Sequence, residues 1–251
     1  MDISGIAAVV TGGGSGLGAA TAHALAAKGA KVTVLDVNGD SANKVAEEIG
    51  GLGLVCDVTK ESAADVLDQA AEAHGAARIL INCAGIGPAG KTVGKNGPLS
   101  LAEYSKVIQV NLIGSFNMLR LAAARMMPLD LHGEERGIII NTASVAAFEG
   151  QIGQVAYSSS KGGIVGMTLP AARDLAQSCI RVNTIAPGTF LTPLLMTVSD
   201  EFRASLGAQV PFPSRLGDPS EYAKLAVHIV ENTMINGETI RIDGAIRMGP
   251  R

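Results

Sequence analysis

Short apolar runs alternate with longer helical patterns along the whole chain. The apolar runs are continuous rather than interrupted at every second position, which indicates strands that are buried on both faces. We predict strands at 6–10, 31–35, 52–56, 78–82, 137–141, 180–185 and 239–242. We predict helices at 19–28, 41–49, 61–73, 101–127, 155–177 and 219–231. Because strands and helices alternate throughout, the pattern predicts a single α/β domain over 1–251, with a doubly wound parallel sheet of about seven strands and helices on both faces.

Several segments depart from this regular pattern. Residues 85–98 are rich in Gly and Pro and are predicted to form a loop. An interruption or a kink is expected near Gly114 in the long fourth helix. Pro170 should kink the helix that contains it or leave a local break in its hydrogen bonds. The segment 189–217 is too long for a tight connection, so we predict a lid over an apolar substrate; core packing or a subunit contact would also explain it. Its apolar residues include Leu194, Leu195, Met196, Phe202, Leu206 and Phe212.

A glycine-rich turn connects the first predicted strand to the first helix. Gly12, Gly16 and Gly18 would let the backbone approach a pyrophosphate closely, with the N-terminus of the helix facing the negative charge. The predicted contacts include Ser15 and Leu17 in the same turn. The spacing is not the common G-x-G-x-x-G, but a strand before the turn and a helix after it are typical of a Rossmann fold that binds a dinucleotide.

Asp36 ends the second predicted strand. A carboxylate at this position can accept hydrogen bonds from the ribose hydroxyls of a dinucleotide and repels a 2′-phosphate. The sequence therefore predicts NAD rather than NADP as the cofactor. The alternative is that Asp36 only caps the turn that follows it.

Two further strand ends are candidates for the cofactor crevice, since ligands of open α/β sheets bind at the carboxyl ends of the strands. Asp57 and Val58 follow the third predicted strand, where Asp57 could accept a hydrogen bond from the adenine amino group. The fourth strand ends in the small residues Asn82, Cys83, Ala84 and Gly85. Ordinary turn chemistry would also explain both sets.

Tyr157 and Lys161 are four residues apart in a predicted helix, and therefore lie on one face. A neighbouring ammonium favours the phenolate, so the pair makes a proton donor and acceptor that works near neutral pH. We expect Lys161 to lower the pKa of Tyr157. The pair alone is also common on helix surfaces, and its interpretation depends on the surrounding motifs.

Composition and charge narrow the class of partner. The net charge is −3 with no basic run, which makes a nucleic acid an improbable main partner. The three cysteines, Cys56, Cys83 and Cys179, are scattered, and the histidines have no ligand-like spacing, so we expect neither a disulfide framework nor a bound metal. Free thiols favour a cytoplasmic location. We find no signal peptide or membrane-spanning pattern in the sequence.

The order of these motifs resembles the short-chain dehydrogenase/reductase family along essentially the whole chain. The matching features are TGxxxGxG at 11–18, Asp36, N-x-A-G at 82–85, Asn111, Ser144, Y-x-x-x-K at 157–161 and Pro187-Gly188. The resemblance implies that Tyr157 is the acid and base, that Lys161 supports it and binds the nicotinamide ribose, and that Ser144 holds the substrate oxygen. Asn111 would connect Lys161 to solvent through a water. A turn serine and a local helix kink are the alternatives for Ser144 and Asn111.

The resemblance also implies the rest of the site. The segment Pro187, Gly188, Phe190 and Thr192 would lie over the nicotinamide, with Thr192 bound to its carboxamide and Phe190 covering the cofactor. Gln151 and Gln154, together with Ser144 and Tyr157, would border the substrate. A mostly apolar pocket suits an acyl chain or a steroid.

Three longer stretches, 139–176, 210–219 and 243–250, resemble the branch of that family that oxidises 3-hydroxyacyl-CoA. The resemblance implies an NAD-dependent oxidoreductase of 3-hydroxyacyl-CoA, with hydroxysteroids and other secondary alcohols as further substrates, and a homotetramer formed through the helices at 101–127 and 155–177. The alternatives are an NADPH-dependent 3-oxoacyl carrier-protein reductase and a non-catalytic scaffold subunit.

Overall fold

The central element of the computed structural model, which describes residues 1–192, 195 and 199–250, is a parallel sheet. Its seven strands among the described residues are β1 (Ala7–Thr11), β2 (Lys31–Asp36), β3 (Leu52–Val55), β4 (Ile79–Asn82), β7 (Gly137–Thr142), β8 (Ile180–Pro187) and β9 (Thr239–Ile242). They lie in the order β3-β2-β1-β4-β7-β8-β9, and every pairing is parallel. The predicted doubly wound sheet is therefore confirmed. The strand order reverses between β1 and β4, which opens a crevice at their carboxyl ends.

Helices cover both faces of the sheet and bury two separate cores. One core contains side chains of α1 (Gly16–Ala27), α2 (Gly39–Ile49) and α8 (Pro219–Glu231). The other contains side chains of α3 (Ala63–His74) and α5 (Gly114–Met126). Successive strand residues contribute to opposite cores because side chains alternate across a strand. This double burial explains why the apolar residues of the strands form continuous runs instead of alternating with polar ones.

The long fourth helical region is divided by a change in helix type. It consists of α4 (Leu101–Ile108), a π-helical turn (Gln109–Ile113) and α5. Gly114 follows the π turn, and a Cβ there would lie 2.6 Å from the side chain of Val58. The interruption predicted near Gly114 is therefore confirmed, and it is a widened turn next to a close contact.

The stretch Leu101–Met126 is also the one helical region, within the described residues, that is long and apolar enough to cross a membrane. It carries the π turn in its middle and packs against α3, the sheet and the helix α6 (Val155–Leu175). Packing within the domain accounts for its apolar composition, as for the core helix of any globular protein.

The helix that carries Tyr157 and Lys161 is α6 (Val155–Leu175), and it continues as a 3₁₀ turn over Ala176–Ser178. Pro170 lies inside it, as predicted. Two other predicted loops contain regular structure. The segment 85–98 includes a small antiparallel ladder of β5 (Val93–Gly94) and β6 (Gly97–Pro98), and the segment 189–217 includes the helix α7 (Asp200–Gly207).

A buried ion pair joins the far end of the sheet to α8. The guanidinium of Arg181 donates to both carboxylate oxygens of Glu135 at 2.6 and 3.0 Å, and both side chains are almost fully buried. Arg181 also donates to the carbonyl oxygens of Ile229 and Val230 at the end of α8, and the amino group of Met1 donates to Glu135. Such a pair is expensive to break because either partner alone would be a buried charge.

Candidate active site

The glycine-rich turn after β1 leaves no room for side chains. A Cβ on Gly18 would lie 2.2 Å from the carbonyl oxygen of Gly12, and a Cβ on Gly12 would lie 2.7 Å from the backbone nitrogen of Ala84. Gly12 and Gly16 also have φ values of 59° and 53°, which favour glycine. The turn is thus a backbone cradle whose shape depends on the absence of Cβ atoms.

The N-terminus of α1 points its free amide groups into this cradle. Ser15 occupies the N-cap position and is exposed, yet its side chain makes no capping hydrogen bond. The first turn of α1, which includes Leu17, carries no acidic residue. Uncapped amides and the helix dipole make this end a fitting site for the pyrophosphate of a dinucleotide.

Asp36 lies next to the cradle at the end of β2. Its Oδ2 accepts a hydrogen bond from the backbone N–H of Gly14 at 3.1 Å, and its Oδ1 accepts one from Asn38 at 3.0 Å. The two interpretations from the sequence are therefore compatible, because the carboxylate caps the following turn and also stands at the glycine loop. A negative charge in this position disfavours a 2′-phosphate on the adenosine ribose.

Asp57 and Val58 have structural contacts of their own. The Oδ1 of Asp57 accepts from the N–H and the hydroxyl of Thr59 at 3.0 and 2.7 Å, and these bonds lower the pKa of the carboxyl. The carbonyl of Val58 accepts from the Asn117 side chain at 2.8 Å. Turn chemistry thus describes the observed contacts of Asp57, while its contact with adenine stays a prediction.

The segment after β4 forms a wall of the crevice through its backbone. The N–H of Ala84 donates to the hydroxyl of Thr11 at 3.2 Å, and a Cβ on Gly85 would lie 3.5 Å from Nζ of Lys161. The side chains of Asn82 and Cys83 turn inward instead. Asn82 donates to Oδ1 of Asn141, its pairing partner on β7, at 2.9 Å. Nδ2 of Asn141 is buried and has no hydrogen-bond partner among the described residues.

Tyr157 and Lys161 come together at the opposite side of the crevice. Nζ of Lys161 lies 5.6 Å from the centre of the Tyr157 ring and donates to the carbonyl oxygen of Thr142 at 2.7 Å. Lys161 is 4% exposed, and burial lowers the pKa of its ammonium to about 8. This lysine is still largely a cation at neutral pH.

The pKa of Tyr157 does not shift in the predicted direction. Burial raises it above 10, and a hydrogen bond with Ser144 opposes that rise. Lys161 was expected to lower this pKa, but its ammonium is committed to the Thr142 carbonyl rather than to the phenol oxygen. Desolvation of the phenolate is therefore the dominant influence on this pKa.

Ser144 follows β7 and begins a short 3₁₀ turn (Val145–Ala147). Its Oγ accepts from the N–H of Ala146 at 3.1 Å and interacts with the Tyr157 hydroxyl. The two hydroxyls thus face the same space, and an oxygen bound between them could accept two hydrogen bonds.

Asn111 lies in the π-helical turn and is fully buried. Its side chain exchanges two hydrogen bonds with the backbone of Ile86, at 2.8 and 2.9 Å, and donates to Ser160 at 2.9 Å. The hydroxyl of Ser115 donates to its carbonyl oxygen at 2.6 Å. Asn111 thus ties the loop after β4 to α6. The water-mediated relay to Lys161 stays a prediction.

The segment after β8 lies against the end of β9. The N–H of Gly188, which follows Pro187, donates to the carbonyl of Ile242 at 2.9 Å. Phe190 is 6% exposed and its ring packs on Gly217 within the core, so its observed role is to anchor the base of the predicted lid. Thr192 is half-buried. Its contact with the carboxamide, like the cover that Phe190 was expected to give the cofactor, stays a prediction.

The predicted lid is partly described. Leu194 and Met196 lie outside the described residues, as does the side chain of Phe202. Leu206 is half-buried, whereas Phe212 is 83% exposed. The movement of a lid over the substrate stays a prediction.

Gln151 and Gln154 lie in the loop before α6 and line an open cavity of about 430 Å³ that reaches Ser158 and Lys91. The backbone N–H of Gln151 donates to Oε1 of Gln154 at 2.9 Å. Ser158 follows Tyr157 in the chain, and the contact of the two glutamines with a substrate stays a prediction.

The ion cluster that holds this loop was not predicted from the sequence. Arg241 donates to both carboxylate oxygens of Glu149 at 2.7 and 3.0 Å, which lowers the pKa of that carboxyl. The N–H of Ile152 then donates to the carbonyl of Pro250 at 3.0 Å. The C-terminal segment is therefore part of the rim of the cavity.

A parallel sheet with a side-chain-free anion cradle at its switch point, and with a half-buried tyrosine and a buried serine and lysine across the crevice, defines a dinucleotide-dependent oxidoreductase. The sequence profile described as short chain dehydrogenase matches residues 6–202. The chain belongs to this family, whose dehydrogenases use a nicotinamide cofactor.

Individual proteins are similar to the chain over nearly its full length. It is 53% identical over 254 residues to the 3-hydroxyacyl-CoA dehydrogenase type-2 of Rattus norvegicus, covering 99% of this chain and 97% of the relative. The crystal structure of 3-hydroxyacyl-CoA dehydrogenase type-2 from Mycobacterium avium superposes with a TM-score of 0.90 at 39% identity, covering 98% of each chain. A 3-oxoacyl-[acyl-carrier-protein] reductase of Vibrio cholerae is 34% identical over 253 residues, covering 99% of this chain and 100% of the relative.

Proposed function

We propose that this protein is an NAD-dependent 3-hydroxyacyl-CoA dehydrogenase that interconverts the 3-hydroxy and 3-oxo groups of an acyl-CoA. The observation that carries the proposal is the convergence of Tyr157, Ser144 and Lys161 at the crevice above the sheet. The names of the relatives with more than half of their residues identical support the acyl-CoA substrate over an acyl carrier protein. The same site would accept hydroxysteroids and other apolar secondary alcohols.

When bound, a nicotinamide supplies hydride transfer to or from the substrate carbon. The protein supplies the proton and the orientation. In the reductive direction, the protonated Tyr157 donates its proton to the substrate oxygen while Ser144 holds that oxygen. In the oxidative direction, Tyr157 removes the hydroxyl proton. The positive charge of Lys161 stabilises the phenolate that exists between these two events.

Asp36 supports NAD as the cofactor. Its carboxylate is fixed at the glycine loop by the N–H of Gly14 and cannot turn away without losing that bond. A 2′-phosphate brought to the same place would meet an unneutralised negative charge, whereas a ribose hydroxyl can donate to it.

The direct test is a substrate panel with purified protein. We expect 3-hydroxybutyryl-CoA and longer 3-hydroxyacyl-CoA esters to be oxidised with NAD, with much slower turnover for NADP. Failure on every short and medium-chain ester would refute the substrate class. Faster reduction of a 3-oxoacyl carrier protein with NADPH would favour the reductase instead, and activity on no secondary alcohol would favour a scaffold subunit.

We further propose a homotetramer and a cytoplasmic location. Exposed apolar side chains on α5 and α6 support subunit contacts; they include Phe116 at 51% and Leu169 at 43% exposure. Reduced cysteines support the location. Sedimentation equilibrium of the full chain tests the first proposal, and fractionation of native cells tests the second.

A further inference from the structure

Three side chains from distant parts of the chain form a closed ring of hydrogen bonds behind the catalytic lysine. The hydroxyls of Thr142 and Tyr222 are 2.6 Å apart. The hydroxyl of Thr142 donates to Sγ of Cys83 at 3.5 Å, and the thiol donates to the Tyr222 hydroxyl at 3.7 Å. With Tyr222 donating to Thr142, each group donates once and accepts once.

The ring is neutral and stable as a set of three protonated groups. Burial raises the pKa of the Cys83 thiol and raises that of the Tyr222 phenol well above 10. Both groups therefore keep their protons at neutral pH, which the closed arrangement requires. A buried thiol that stays protonated is also a poor nucleophile, so the ring is a structural unit rather than a reactive one.

One member of the ring, Thr142, also contacts Lys161. The residue whose hydroxyl belongs to the ring, Thr142, is the last residue of β7, and its carbonyl oxygen accepts the 2.7 Å hydrogen bond from Nζ of Lys161. Thr142 is therefore held at two points: its hydroxyl bonds to Cys83 and Tyr222, and its carbonyl oxygen bonds to Lys161. If the hydroxyl were free, the end of the strand would be held less firmly.

A second member of the ring, Tyr222, is held at the N-terminus of a well-capped helix. Tyr222 is fully buried in the first turns of α8. That helix begins with a capping box formed by Asp218 and Glu221, and Glu221 also accepts two hydrogen bonds of 2.8 Å from Arg215. The Tyr222 hydroxyl is thus fixed relative to the sheet.

We propose that Tyr222 and Thr142 are positioning residues for the catalytic reaction, and that their hydroxyls hold the Thr142 carbonyl where it orients the Lys161 ammonium. This inference rests on the proposed dehydrogenase function. It goes beyond that function because both hydroxyls bond within the buried ring and neither belongs to the groups proposed to transfer the proton. The titratable groups described next to Lys161 are Tyr157, above it, and Cys83, within the ring.

The experiment compares Tyr222→Phe, Thr142→Val and the double variant with the parent protein. Each substitution removes one hydroxyl and conserves volume. Thr184→Val is the matched control, because it breaks another buried hydrogen bond between two hydroxyls, those of Thr168 and Thr184, which are 2.6 Å apart. Among the described residues, neither of these hydroxyls bonds to Lys161 or to the Thr142 carbonyl. Thr142→Ser keeps the hydroxyl and should restore the parent behaviour.

We expect each ring variant to lower kcat on the order of tenfold, since small misplacements of catalytic groups have such effects, with KM for the substrate within about twofold. The kcat of the double variant should be no lower than that of the slower single variant, because the two substitutions break the same ring. Thr184→Val should lower thermal stability without changing kcat.

A second measurement does not depend on turnover. In lysine-labelled protein, the ¹³Cε signal of Lys161, assigned with Lys161→Arg, reports its pKa. Losing an aligned carbonyl acceptor disfavours the charged form, so Thr142→Val should lower this pKa by about 0.5 to 1 pH unit. If the parent oxidises no 3-hydroxyacyl-CoA, the proposed function fails while this titration still tests the ring.

Parent-like kcat and an unchanged Lys161 titration in both ring variants would overturn the proposal. So would a loss of kcat in Thr184→Val as large as in Tyr222→Phe, because the effect would then be general destabilisation. If Thr142→Val does not fold, Tyr222→Phe alone still gives either outcome.

Discussion

The two sides of the crevice are built from different chemistry. On the cofactor side, the cradle between β1 and α1 consists of backbone amides and carbonyls, and its glycines leave no space for a Cβ. On the catalytic side, the proposed working groups are the side chains of Ser144, Tyr157 and Lys161, and the backbone carbonyl of Thr142 holds the ammonium of Lys161.

This difference determines which substitutions disrupt each side of the crevice. A backbone cradle tolerates no added atoms, so any side chain is disruptive whatever its chemistry. A site made of side chains tolerates loss of volume but depends on single hydroxyl and ammonium groups. Substitutions that add one carbon on the first side and remove one oxygen on the second should therefore separate binding from turnover.

The largest effect is expected for Tyr157→Phe, which removes only the hydroxyl that we propose as the proton donor and acceptor. Turnover should fall by about 10³-fold, since general acid–base groups contribute on the order of 10²–10⁴. NADH affinity, measured by fluorescence titration, should stay within about twofold. A variant that keeps a tenth of the parent kcat would contradict the assigned role.

On the opposite side, Gly18→Ala would place a Cβ 2.2 Å from the carbonyl of Gly12. We expect a destabilisation of about 1–3 kcal/mol from overpacking. NADH affinity should be at least about tenfold weaker, the scale of a 1.4 kcal/mol loss. Gly166→Ala is the control, because that exposed helical glycine has nothing within 4 Å of an added Cβ. Calorimetry and cofactor titration check both variants, and equal behaviour of the two would contradict the cradle.

A smaller effect is expected for Asp36→Asn, which keeps the shape and removes the charge. The preference for NADH over NADPH, measured as the ratio of kcat/KM values, should fall on the order of tenfold because the repulsion of a 2′-phosphate is lost. Asp40→Asn removes the same charge from an exposed position on α2 and should leave the ratio unchanged. A parent protein that already prefers NADPH would contradict the cofactor assignment.

The smallest effect is a pH dependence that comes from Lys161 alone. Its pKa is lowered to about 8, so the lysine is charged below that pH and becomes neutral as the pH rises through it. The pKa of Tyr157 is raised above 10, so the phenol stays protonated over the same range. In the reductive direction, activity should therefore fall to about half near pH 8. Lys161→Arg should weaken this decline, and a rate that stays flat to pH 10 would refute it.

The sequence predicted those features that depend on local pattern. Continuous apolar runs located the strands, and the glycines, Asp36 and the Tyr157/Lys161 spacing located both sides of the crevice. It did not predict the ring of Cys83, Thr142 and Tyr222, since its members are 59 to 139 residues apart and each is an ordinary core residue by itself.

One expectation was wrong because burial decided it. The pKa of Tyr157 was expected to fall beside a cation, but desolvation of the phenolate raises it, and the opposing effect comes from a hydrogen bond with Ser144. Phe190 was expected to cover the cofactor; its ring packs against Gly217, and its contact with a cofactor stays a prediction. The burial of either side chain is not visible in a local motif, because it is set by elements far away in the chain.

The π-helical turn at Gln109–Ile113 sets the rotation of α5 relative to α4 about the helix axis. A π turn holds one residue more than an α turn, so it behaves as a one-residue insertion that has been kept in a helix. Deleting a single residue here would let a continuous α-helix form and would rotate one flank by about 100° relative to the other. Either Asn111 would then leave Ile86 and Ser160, or α5 would turn its buried face to solvent. Length, and not only composition, is therefore under constraint in this helix.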